Sequence, residues 1–359
     1  MAITYHAGRR IQGTSTDFAG IPAVSGGWKE LGRTTLGSAG TNITVSSLAN
    51  KRYYMILSQV LDAPATTWQQ SGVQLGIGSV DAAGNYAQRY SADGAADVAN
   101  APAAFVLGWS NLADPKYDDF HVGYIANESD KEKLVILNNV CGQVAGAGNT
   151  PSRSEVVGKW TNTSAPLDII NMYQGGTVGG SDAGSELVVL GWDPADTHTT
   201  NFWEELADIS LTSTNTSLDS GTFTAKKYLW VQMYQKGMTG NNTLYNFNSD
   251  TGSNYARRWR IDGGTEWTTG STTGLMCHNA VGTQTDNFFN MFIVNNSANE
   301  KLVISSSVYT ISTGAGSPPS REEHVGKWDN TSSQITSIQF DHGGSNFGIG
   351  SSIKVWGSD

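Results

Sequence analysis

The chain is written twice, and no other feature restricts its fold so strongly. Residues 146–164 (GAGNTPSRSEVVGKWTNTS) and 314–332 (GAGSPPSREEHVGKWDNTS) share 14 of 19 positions at an offset of 168. Residues 28–36 (WKELGRTTL) match 203–211 (WEELADISL), and 51–56 (KRYYMI) match 226–231 (KKYLWV), both at an offset of 175. Residues 81–89 (DAAGNYAQR) match 250–258 (DTGSNYARR) at 169. Matched segments in matched order at nearly constant offset require two copies of one fold. Each copy closes on a strand-like run, 184–191 (GSELVVLG) and 350–357 (GSSIKVWG). The boundaries follow: an arm over 1–27, a first unit over 28–192, a linker over 193–202 and a second unit over 203–359. The linker carries Pro194, which resists both helix and strand.

Within a unit the apolar signal has period two. Short β-branched or aromatic runs such as 53–57 (YYMIL), 134–137 (LVIL), 228–233 (YLWVQM) and 288–294 (FFNMFIV) are bounded by Gly, Asn, Asp and Ser. These are strand signals. With 42 Gly in 359 residues, helix propensity is low throughout. The chain is therefore predicted to be all-β: two tandem, duplicated, antiparallel β-sandwich domains of jelly-roll-like type preceded by an extended N-terminal arm. Helix is confined at most to the turn at 203–206. Trp160 and Trp328 are predicted to be buried in equivalent places, because alternation along their strands sends Arg153, Glu155 and Lys159 to the opposite face.

Charge and motifs narrow the function classes. A formal charge of −10 repels nucleic-acid phosphate, so no nucleic-acid partner is expected. No apolar window of about 18 residues is present, so membrane insertion by a helix is not expected. The start lacks an apolar segment behind a basic one, and no secretory leader is expected. Cys141 and Cys277 are too few for a disulfide framework and are read as buried thiols. The nucleophile, zinc and phosphate-loop signatures are absent, and His6, His121, His198, His278, His324 and His342 are scattered. Glu155 with Asp118 or Asp119, or Glu323 with Asp286, are the only carboxylate pairings to weigh for glycoside hydrolysis, and their spacing places neither in one cleft. Arg153 with Glu155, and Arg321 with Glu323, read instead as surface ion pairs on alternate strand positions. No catalytic, cofactor-binding or metal-binding residue is assigned, and no enzymatic activity is expected. The Asn-x-Ser/Thr triplets, among them those at Asn127 and Asn295, occur at about the frequency composition gives.

The duplication sorts the aromatics. Trp28/Trp203, Tyr86/Tyr255 and Trp160/Trp328 recur and suit the scaffold. Trp68, Trp109, Trp259 and Trp267 lie where the copies diverge and are the candidate glycan or partner contacts. The divergent segments are 62–80, 95–119 and 172–183 in the first unit and 236–249, 264–286 and 338–349 in the second, and any recognition surface is expected there. In the arm, Ile3, Tyr5, Arg9 and Arg10 are candidate assembly residues. They are predicted to pair with an exposed sheet edge of a neighbouring subunit in a homo-oligomer.

Two further motifs carry a resemblance. The closing segment 343–357 (GGSNFGIGSSIKVWG) and the opening 3–17 (ITYHAGRRIQGTSTD) resemble virion structural proteins of marine tailed or archaeal viruses built from tandem β-sandwich repeats. The resemblance implies a virion location, as a capsid-surface, decoration or tail-fibre protein. Other virion proteins would be its partners, and a host-surface glycan its target of attachment. The alternative is a secreted or cell-surface, lectin-like glycan-binding protein.

Overall fold

The computed structural model describes residues 27–359 except 62–68, 108–117, 177–179, 195, 197–200, 240–241, 279–282, 311 and 313. Among the described residues every regular element is a β-strand. The segment from Trp203, where one helical turn was conceivable, enters the strand Glu204–Ser210, which pairs with the closing strand Ser352–Ser358.

Each unit is a sandwich of one large and one small antiparallel sheet, and the two large sheets have the same strand order. In the first unit it runs Lys29–Thr35, Glu186–Trp192, Tyr53–Leu61, Asp118–Ala126, Lys133–Cys141, Ser152–Trp160, Tyr86–Ala92, Val98–Asn100. In the second it runs Glu204–Ser210, Ser352–Ser358, Tyr228–Thr239, Thr283–Val294, Lys301–Tyr309, Ser320–Trp328, Tyr255–Ile261, Glu266–Thr272. Register is preserved as well: Tyr53 faces Ala126 in one sheet, and Tyr228 faces Val294 in the other. The small sheets place Asn42–Val45, Ile169–Gly176 and Gln69–Ile77 side by side in the first unit. Ser217–Asp219, Ile338–His342 and Thr243–Phe247 do so in the second.

The matched sequence segments are the pins of these sandwiches. Trp160 and Trp328 are each 1% exposed, and their indole N–H groups donate to Asp81 Oδ2 at 2.8 Å and Asp250 Oδ2 at 2.7 Å. Tyr86 stacks on Trp160 with centroids 6.4 Å apart, and Tyr255 on Trp328 at 6.2 Å. Both tyrosine hydroxyls donate to the main-chain oxygen of the same aspartate, Asp81 or Asp250. Burial alone would raise the pKa of these two carboxyls, but the hydrogen bonds from Asn85 and Trp160, or from Asn254 and Trp328, leave both below their ordinary value. Asn127 and Asn295, sequon residues by sequence, are buried cross-braces. Each amide nitrogen donates to the carbonyl of Lys51 or Lys226, and each amide oxygen accepts from the backbone N–H of Leu167 or Ile335. Lys133 and Lys301 are also fully buried. The ammonium of Lys133 donates to the carbonyls of Glu128, Lys131 and Asn162, and that of Lys301 to those of Ser297, Asn299 and Asn330.

The two units do not hang apart on a linker. A third apolar cluster lies between the outer faces of the two large sheets: Met55, Leu57, Phe120, Val122 and Val188 of the first unit meet Tyr228, Phe292, Leu302, Ile304 and Val325 of the second. Phe202, from the segment expected to be a polar linker, joins this cluster. Phe120 stacks on Tyr228 at 6.3 Å. Arg153 does not form the surface pair its strand position suggests. It does point away from its own core, as alternation requires, but the second unit covers that face and leaves it 3% exposed. Its guanidinium forms a fork with Glu266, with Nε to Oε1 at 2.8 Å and Nη2 to Oε2 at 2.9 Å. Glu155 also pairs with it, and Glu323 lies 3.6 Å away. This is a buried ionic network between units, not a surface pair. Only Arg321, the counterpart of Arg153, remains exposed as foreseen, paired with Glu323 at 2.6 Å.

At the other side of the interface Glu186 accepts from the Tyr228 hydroxyl at 2.9 Å and from Lys227 at 3.0 Å. Burial by itself would raise its pKa, but the Thr35 hydrogen bond and the charges of Lys227 and Arg33 hold it below the ordinary carboxylate value. A depressed folded-state pKa contributes stability that is present above the unfolded value and lost as pH falls through the folded one. Urea denaturation between about pH 6 and pH 3 should show that acid loss, and Glu186→Gln should flatten it. An unchanged acid limb in the variant would contradict the assignment. In the core, Trp328→Ala should cost about 3–5 kcal/mol in the same measurement. Asp250→Ala, which orphans the indole N–H, should cost about 1–3 kcal/mol.

Candidate functional site

The strands of the first unit's small sheet alternate between the core and an outer groove. Ile43 and Val45, Val73 and Leu75, and Ile170 and Met172 face inward and are buried. Asn42 and Thr44, Gln74, and Asn171 and Tyr173 consequently face outward. The outward residues form an amide and hydroxyl ladder across three strands. Asn171 Nδ2 donates to Asn42 Oδ1 at 2.8 Å and to Gln74 Oε1 at 3.0 Å, and its Oδ1 accepts from the Thr44 hydroxyl at 2.8 Å. Gln74 Nε2 donates onward to the Ala103 carbonyl at 3.2 Å.

This ladder floors a groove of about 730 Å³. Val80 and Ala82 stand on one wall, Pro102 to Ala104 on another, and Tyr173 beside them. Two glycines shape it. A Cβ on Gly72 would press on the Phe105 carbonyl at 3.1 Å, and one on Gly175 would meet the Tyr173 ring at 2.8 Å. Their bareness lets the Phe105–Val106 strand pair with Gln69–Ile77 and lets the Tyr173 ring lie across the sheet. Among the described residues, none lining the groove carries a formal charge. Such a lining suits a neutral ligand with many hydroxyl or amide groups.

The second unit has lost this arrangement. By register, Asn246, Gln339 and Asp341 occupy the places of Gln74, Asn171 and Tyr173. Asp341 accepts from both neighbours, Gln339 Nε2 at 2.8 Å and Asn246 Nδ2 at 3.2 Å. A self-satisfied carboxylate thus replaces the aromatic ring.

The sequence located the region better than the residues. Gly72, Gln74 and Val80, Pro102 to Val106, and Tyr173 all fall in the three divergent segments of the first unit. Of the tryptophans singled out there, Trp68 and Trp109 lie outside the described residues. Trp259 and Trp267 sit on the large sheet of the second unit, stacked at 6.4 Å, with the Arg257 guanidinium 5.1 Å over Trp259. Trp259 is buried and Trp267 is 53% exposed, so packing claims one and solvent the other. Ile3, Tyr5, Arg9 and Arg10, and with them the sheet-edge contact, also lie outside the described residues. The signal that would have found the ladder is the alternation of Asn, Thr and Gln with apolar residues at 42–45, 73–75 and 170–173.

Other titratable groups have structural surroundings. Glu155 and Glu323 are both committed to arginines, Arg153 and Arg260. His324 lies inside the second sandwich, where Val156 lies in the first, with Nε2 2.7 Å from Glu322 Oε2. Cys277 is in the same core, and burial, aided by Glu322, pushes its thiol pKa well up, against any thiolate role. Cys141 is buried and unbridged too. Among the described residues no cluster of three or more potential metal ligands occurs.

No protein-family model and no curated protein matches the chain. Among solved structures it aligns with the LG1–3 region of the laminin α2 chain at 8% identity and a TM-score of 0.21, over 88% of this chain and 64% of that one. It aligns with domains LG4–5 of the mouse laminin α1 chain at 10% identity and a TM-score of 0.18, over 93% and 91%. The outer membrane protein OprG of Pseudomonas aeruginosa aligns at 6% identity and a TM-score of 0.11, over 90% and 99%. The chain thus spans less than two thirds of the first of these, and none is close enough to bear on its function.

The ladder makes one stability prediction. Asn171→Leu leaves Asn42, Thr44 and Gln74 short of a partner and should lower unfolding stability by about 1–3 kcal/mol in chemical denaturation. Tyr173→Ala, which removes no partner of the ladder, should stay within about 1 kcal/mol of the parent.

Proposed function

We propose that the chain is a non-enzymatic recognition protein whose first unit holds a neutral carbohydrate in the groove over its small sheet. The observation that carries this reading is the composition of the groove. Pre-aligned amides and a hydroxyl line its floor, the Tyr173 ring is part of the lining, and none of the described lining residues carries formal charge. Sugar rings present adjacent hydroxyls that amide side chains can both donate to and accept from, and their apolar C–H faces pack on aromatic rings. The ladder is already fixed by its own hydrogen bonds, so binding would order few side chains.

The setting we infer is the surface of a viral particle, with glycan binding serving host attachment. The resemblance of the opening and closing segments supports that setting. A secreted or cell-surface lectin is the second reading, favoured by the same groove.

A glycan array followed by calorimetry tests the site. Binding of a neutral oligosaccharide should fall at least about tenfold, or 1.4 kcal/mol, in Tyr173→Ala. Gly175→Val, which displaces the ring, should have a similar effect. Failure of every neutral glycan to bind at about 10 mM, a level weaker than about 3 kcal/mol of affinity, would overturn the proposal.

A further inference from the structure

The outer face of the first unit's large sheet carries an apolar strip that the rest of the described chain leaves open. Leu134, Ile136 and Val157 are 58%, 54% and 51% exposed. Their register counterparts in the second unit, Leu302, Ile304 and Val325, are 0%, 8% and 4% exposed, because the first unit covers them. Beside the strip lies a groove of about 480 Å³ walled by Trp28, Tyr53, Tyr124 and Trp192. Tyr53 stacks on Trp192 at 5.5 Å, and Trp28 tilts against Tyr124 at 6.4 Å. A strip of this character marks a contact surface. In the second unit the same positions serve as one.

We propose that residues 1–26 of the same chain cover this face, with Phe18, Ile21 and Val24 seated on Leu134, Ile136 and the Trp28–Trp192 groove. Trp28, itself a wall of the groove, is where that segment joins the fold. The join is built to turn. Gly27 has a φ of +104°, and a Cβ there would strike the Asn201 side chain, so only glycine fits. From the edge strand Lys29–Thr35 to Lys133–Cys141 is four inter-strand steps, about 19 Å. Phe18 lies ten residues before Trp28, a reach of about 33 Å when extended. The segment 18–24 (FAGIPAV) is uncharged, as are the described residues that line the groove. A tether this short also holds the segment at an effective concentration in the mM range, which a free partner would have to exceed. The inference concerns the face opposite the carbohydrate groove and stands independently of it.

Hydrogen exchange of the full chain tests the proposal. Amides of residues 18–24 should exchange at least about tenfold more slowly than an unstructured peptide of the same sequence. Ile136→Asp, at an exposed position, should abolish that protection while leaving the amides around Trp160 unchanged. A chain lacking residues 1–26 should bind a hydrophobic dye several-fold more strongly than the full chain, and a synthetic peptide of residues 14–27 should reverse the increase. Absence of protection, or protection that survives Ile136→Asp, would overturn the proposal. So would a full-length dimer that becomes a monomer on deletion, since the segment would then cross to a neighbour.

Discussion

The face-to-face contact of the two large sheets governs the rest of the molecule. Each sheet of a sandwich has two faces, and here the second face of each large sheet is partly apolar, so neither unit is complete in isolation. Met55, Leu57, Phe120 and Val188 of the first unit are buried in one cluster with Tyr228, Leu302 and Ile304 of the second. The charges make this dependence strict. Arg153 is buried, and the fork that holds it comes from Glu266 across the interface. A buried guanidinium stripped of its carboxylates is strongly destabilising, so sliding one unit against the other is opposed by more than lost apolar contact. Lys327 adds to this: its ammonium crosses to the carbonyls of Gly142 and Val144 while paired with Glu300. The pair of repeats therefore behaves as a four-layered body.

That contact also explains why two copies of one sequence pattern have come to differ. Register partners meet different surroundings: Leu302 and Ile304 are sealed, whereas Leu134 and Ile136 face outward. The small sheets diverge as well. The first unit keeps Asn171 and Tyr173 above a groove, while the second fills the matching places with Gln339 and Asp341, which satisfy each other. The second repeat closes its small-sheet face, and each repeat leaves a different part of its large-sheet face open, Leu134 and Ile136 in one, Phe288 and Val308 in the other. The pins inside, with Trp160 and Trp328 donating to Asp81 and Asp250, are unchanged, because core geometry tolerates little variation.

Much of this was legible in the residues, and the limits have physical causes. Constant offset and period two gave the duplication, the strands and the buried indoles, since all three follow from local sequence. Alternation also sent Arg153 to the correct face. It could not reveal that another unit lies over that face, because burial by a partner domain leaves no period of its own. Residues 203–206 illustrate a different limit: four residues with two glutamates suit a helical turn, but pairing with the closing strand overrides that preference. The tryptophans drew attention to divergent loops through their size. The groove is floored by Gln74 in one of those segments and by Asn171 just outside another, and their role depends on three strands being brought side by side.

Lys133 and Lys301 have a consequence of their own. Each places an ammonium at the centre of a loop whose carbonyls converge on it, as they would on a bound cation. Burial lowers the pKa of both, that of Lys301 to about 8. The positive charge that organises these turns is covalently part of the chain and cannot diffuse away, so their shape requires no ion from the medium. Chelators and changes in dissolved calcium would leave them intact, whereas reagents that enlarge or acylate amines would have to unfold the loops to reach their target.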